Sequence, residues 1–70
     1  MENLKEIIED VTACLATERR ILQGLKDKRQ RHPEATRILN PLIGSFETNC
    51  VNLDAMIVNL NKEFDDAGRT

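Results

Sequence analysis

Seventy residues, 1–70, make one small domain, and a chain this short buries too little apolar surface for comfort unless a disulfide, a metal or a partner chain completes it. Phe46 and Phe64 are the only aromatic residues and the net charge is −2, which argues against a base-stacking platform or general attraction to polyanions. No apolar run approaches the roughly 18 residues of a membrane span, the start MENLKEIIED is too acidic for a signal peptide, and Cys14 and Cys50 are too few and too far apart for a disulfide framework or a zinc site, so a thiol-keeping cytoplasmic setting is expected.

The first element spans about residues 3–31. Its apolar residues are Leu4, Ile7, Ile8, Val11, Cys14, Leu15, Ile21, Leu22 and Leu25, at helical spacing. With Leu4 at heptad position a, Val11, Glu18 and Leu25 follow at a. Ile7, Cys14, Ile21 and Lys28 fall at d, and Ile8, Leu15 and Leu22 at e. Asn3, with Glu6 three residues on, resembles a capping box.

The turn is expected at Arg31-His32-Pro33-Glu34. Pro33 suits a first helical position, where a missing N–H costs nothing. It also pushes His32 out of helical geometry.

The second element spans about residues 33–66. Leu39, Phe46, Leu53 and Leu60 lie at a, Leu42, Asn49, Met56 and Glu63 at d, and Ile43, Cys50, Ile57 and Phe64 at e. Gly68 suits a stop just past the end. Pro41 permits two readings: a kink in one continuous helix, or a fresh start with Asn40 as N-cap and Pro41 as first helical residue.

The two halves share one register. Setting a positions of one helix level with d positions of the other pairs Leu4 with Glu63, Val11 with Met56, Glu18 with Asn49 and Leu25 with Leu42. The midpoint then falls between Pro33 and Glu34, where the turn chemistry already places it. The fold class is therefore all-α, an antiparallel two-helix hairpin.

Each stripe is three columns wide, broader than the seam of a two-stranded coiled coil. The expected core comprises Leu4, Ile7, Ile8, Val11, Leu15, Ile21, Leu22 and Leu25 with Leu39, Leu42, Ile43, Phe46, Leu53, Met56, Ile57 and Leu60. Two helices share one contact line, so the remainder must meet something else. That is a four-helix bundle made of two hairpins, or a helix of another protein. The expected partner is thus a second copy, another helical protein, or both. Cys14 and Cys50 lie in the stripe and read as buried thiols acting as small hydrophobes. Glu18 and Asn49 share a layer. Either they tolerate the edge of the core, or they form a polar layer that fixes register or partner choice.

The outer face of helix 2 carries Gly44, Thr48, Val51, Ala55 and Val58, steps of 4, 3, 4 and 3. Such a stripe is either scattered small surface residues or a candidate protein interface that lets another backbone approach closely.

Charge follows the chain in blocks. Residues 1–18 set Lys5 against Glu2, Glu6, Glu9, Asp10 and Glu18, a balance of −4. Residues 19–37 set seven Arg or Lys against Asp27 and Glu34, a balance of +5. Residues 38–70 set Lys62 and Arg69 against five acids, a balance of −3. Folding at Pro33 makes a basic tip and an acidic open end. The tip residues Lys26, Lys28, Arg29, Arg31 and Arg37 are the possible nucleic-acid contacts. They also complement the dipole of helix 1.

Lone His32 has no second ligand or base, Ser45 has no adjacent base, and no glycine-rich phosphate loop occurs. No catalytic residue, metal ligand or cofactor is expected. In length and architecture the hairpin is similar to the two-helix co-chaperones that hold type III secretion needle subunits. It is similar also to the plasmid-encoded repressor of primer, an RNA-binding dimer of hairpins. The similarity is one of architecture and transfers no residue role. The functional expectation is a non-enzymatic interaction module: an adaptor, a chaperone-like subunit or an inhibitor. The alternative is a small nucleic-acid-binding regulator acting as a dimer of hairpins through the basic tip.

Overall fold

The structure is a computed structural model, in which residues 3–68 are described. Helix α1 runs Leu4–Arg31, a 3₁₀ turn spans Pro33–Ala35, and helix α2 runs Thr36–Gly68. The all-α hairpin expected from the heptads is therefore the observed fold, with no strand among the described residues.

Local chemistry sets the boundaries. Asn3 has extended backbone angles, and its Oδ1 accepts from the Glu6 N–H at 2.9 Å, the N-cap arrangement. Lys28, Arg29 and Arg31 crowd the last turn of α1, where the dipole favours cations. His32 leaves helical geometry at φ −130° and ψ 72°, while its N–H still donates to the Lys28 carbonyl at 2.8 Å. Pro33 then opens the turn, and Thr36 Oγ1 donates back to the Pro33 carbonyl at 2.7 Å.

Pro41 does not start a new helix. Helix α2 passes through it unbroken, and the interruption lies upstream, at the 3₁₀ turn. Asn40 is no N-cap either: its Oδ1 accepts from Arg29 Nη1 across the hairpin at 2.8 Å.

The layering departs from expectation. Among the described residues the buried ones are Leu15, Leu39, Ile43 and Cys50. Half-buried Leu4, Ile8, Val11, Glu18, Leu22, Leu25 and Arg29 extend the seam on α1, and Phe46, Leu53, Ile57 and Leu60 extend it on α2. These are the a and e columns, alternating by 3 and 4. The d column does not line up with a: Cys14, Ile21, Leu42, Asn49 and Met56 are all exposed. The reason is continuity. From Leu39 to Phe64 the a and e positions of α2 are apolar without exception, whereas d is interrupted by Lys28, Asn49 and Glu63. The a–e seam centres the hairpin on Glu34, the middle of the observed turn.

Two further expectations are corrected by this shift. Cys14 is an exposed thiol rather than a buried one, and only Cys50 is buried. Glu18 and Asn49 do not share a layer, because Glu18 stands in the seam and Asn49 stands outside it. Glu18 Oε2 is buried without a hydrogen-bond partner. A buried acceptor left unpaired costs about 1–3 kcal/mol. Glu18→Leu is accordingly expected to stabilise the chain by about 1 kcal/mol, which raises the melting temperature by about 4–8 °C in a domain of this size. A lower melting temperature on thermal denaturation would show that the carboxylate is paired in solution.

Candidate interaction surfaces

The seam divides the hairpin surface into unlike flanks. On one side lie the b positions, which carry cross-helix ion pairs. Arg19 Nη2 meets Asp54 Oδ2 at 3.0 Å and Oδ1 at 3.3 Å, and Lys26 Nζ meets Glu47 Oε2 at 3.6 Å. The two pairs are one heptad apart on both helices, so they repeat a single geometric relation. Arg19, Asp54 and Glu47 are exposed and Lys26 is half-buried, and each such pair contributes about 0–1 kcal/mol. This flank is covered by its own charges.

The opposite flank is the d column, and it is apolar and open. Ile21 is 43% exposed, Leu42 46% and Met56 51%. Cys14 is exposed between them and Ile7 is half-buried. Three residues expected in the core, Ile21, Leu42 and Met56, thus lie outside the core that the single hairpin makes. Beyond this strip the next column holds the short or polar Thr17, Gly24, Ser45 and Asn52, and near the tip Ile38, which is 72% exposed. A Cβ added at Gly24 would meet nothing within 4 Å.

The stripe Gly44, Thr48, Val51, Ala55 and Val58 occupies the back of α2. Every member is exposed, Val51 and Val58 at 67% each. Thr48 Oγ1 donates to the Gly44 carbonyl at 3.0 Å. The structure places these five residues together on one exposed face of α2.

The five tip cations do not form one free patch. Lys26 is held by Glu47 and Arg29 by Asn40, while Lys28, Arg31 and Arg37 stay exposed. His32 Nδ1 lies 3.4 Å from Glu34 Oε1, which adds a carboxylate to the same tip. Among the described residues no group of three His, Cys, Asp or Glu side chains is placed to hold a metal ion. Nor is any helix there long and apolar enough to cross a membrane.

Sequence reasoning found the back stripe of α2 but merged the d flank with the core. The signal that separates them is the polar interruption of d by Lys28, Asn49 and Glu63. No protein-family model, curated protein or solved structure matches this chain.

Proposed function

We propose that the chain is a non-enzymatic protein–protein interaction module of the cytoplasm, an adaptor, chaperone-like subunit or inhibitor that works through its apolar helix faces. One observation carries this reading. Among the described residues the hairpin buries four side chains, Leu15, Leu39, Ile43 and Cys50, yet leaves Ile21, Leu42, Val51, Met56 and Val58 between 43% and 67% exposed. An isolated exposed apolar residue needs no explanation. Rows of them along a rod with a thin core mark surfaces for another chain.

The shape supports the same reading. The Cα radius of gyration is 16.1 Å, against about 11 Å for a compact domain of this length. The chain is a strut whose faces are its main asset. Its tip, with two of five cations already paired, offers less to a nucleic acid than its sides offer to a helix.

The test uses the tagged full chain as bait. Val51→Lys with Val58→Lys is expected to abolish a complex made through the back of α2 while leaving helical ellipticity unchanged, since neither residue touches the seam. If the captured proteins are the same for the wild-type chain, this variant and one polar on both apolar faces, the interaction reading fails.

A further inference from the structure

We infer that the d flank is the dimer face of this chain: two hairpins pack through it antiparallel, each basic tip beside the acidic open end of the other. This rests on the interaction reading above and names both the face and its occupant.

Three observations select a second copy. The first is area. The accessible surface is 5435 Å², while a compact monomer of 8.0 kDa exposes roughly 4,450 Å². The excess of about 1,000 Å² is of the size that each partner of a standard interface covers, about 800 Å². The hairpin is therefore short of burial by about one interface.

The second is charge along the strip itself. The d column begins at the tip with Lys28 and ends at the open end with Glu63. Its neighbouring column does the same, with Arg31 at the tip and Asp10 and Asp66 at the open end. A copy related by a two-fold axis across the rod lays the basic end of each strip on the acidic end of the other. A parallel copy would set cation on cation and acid on acid. Like charges held face to face are disfavoured, and complementary ends also steer encounter.

The third is the polar residue in the strip. Asn49 lies halfway between Glu34, the centre of the turn, and Phe64, the last e position of α2. A two-fold axis through the middle of the rod brings the Asn49 residues of both copies to the axis. One amide among apolar residues then fixes register, because any slip buries it against an apolar neighbour. The opposite flank lacks these properties, since its charges are already paired within the chain.

The test measures mass and then orientation on the full chain. Light scattering and sedimentation equilibrium should give twice the monomer mass for the wild type. Ile21→Glu with Met56→Glu should weaken the dimer at least 100-fold. Because that variant can also lose its fold, a second pair decides orientation. Lys28 and Asp10 stand at opposite ends of α1 and do not meet within one hairpin, but the axis at Asn49 sets each against the other across the two copies. Lys28→Glu alone and Asp10→Lys alone should each weaken the dimer about tenfold at low salt. An equimolar mixture of the two variants should recover wild-type affinity as a heterodimer, an effect lost in high salt. A cooperatively folded monomer removes the second copy. A dimer indifferent to Ile21→Glu with Met56→Glu removes this face, and a mixture that fails to recover removes the antiparallel arrangement. A monomer that still captures a protein through its apolar faces leaves the interaction reading standing while this inference falls.

Discussion

Ile43→Ala is expected to cost about 2–5 kcal/mol, the range for truncating a large buried aliphatic residue. Ile43 is the most buried of the described residues at 3% exposed. It sits in the seam one turn beyond Leu39, also buried. A chain of this length has a stability of roughly 4–10 kcal/mol at typical values per residue. Loss of one seam residue is therefore comparable with the whole. The expected result is a melting transition displaced far downward, with much of the ellipticity gone at room temperature. Ile38→Ala is the control. Ile38 belongs to the same helix and is 72% exposed in the single hairpin, so the same chemical change should alter the stability of the dissociated chain by less than about 0.5 kcal/mol. Both should be measured at several protein concentrations, since association adds to the stability of the folded chain. Equal effects of the two substitutions would show that the a–e seam is not where the hairpin is held together.

The fold was legible because its cues are local and repeated. Asn3 before an apolar run, Pro33 after His32, and apolar residues every three or four positions each describe a piece of backbone within a few residues. These cues locate two helices and one turn whichever column pair forms the seam. The seam itself was not legible in the same way. Three apolar columns admit two seams, a with d or a with e, and the choice lies in details that periodicity averages away. Lys28, Asn49 and Glu63 interrupt d, while Arg19, Lys26, Glu47 and Asp54 supply ion pairs for the flank that an a–e seam brings together. That second signal is a relation between the helices and becomes visible only once a register has been chosen. The candidate surfaces followed the same division. The back stripe of α2 is a property of one helix and could be read from spacing. The d flank belongs to both helices and emerges only from their packing. The exposure of Cys14, expected in the core, is the same error seen at one residue.

Pro41→Ala is expected to stabilise the isolated chain by about 2 kcal/mol. A proline inside a helix costs about 3 kcal/mol, from the missing N–H and the clash of its ring with the carbonyl four residues back. Part of that gain is offset by about 0.4–1 kcal/mol, because alanine frees the unfolded chain. Pro41 lies inside α2, six residues into the helix, so the carbonyl of Arg37 lacks its helical donor. Arg37 and Pro41 are both exposed, which lets water satisfy that carbonyl and explains how the chain carries the residue without breaking. The substitution should raise the melting temperature by about 8–16 °C at the scaling for small domains. The comparison that matters is with association. Pro41 adjoins Leu42, the member of the exposed flank nearest the tip, and any curvature at the proline aims that end of the strip. If the dimer uses a strip shaped by Pro41, the variant should melt higher as a monomer and yet dimerise less tightly. Higher stability with unchanged dimer affinity would assign Pro41 to the turn region alone. A fall in both would mean that the proline geometry is part of the hairpin fold and that the helix-interior penalty is already relieved there.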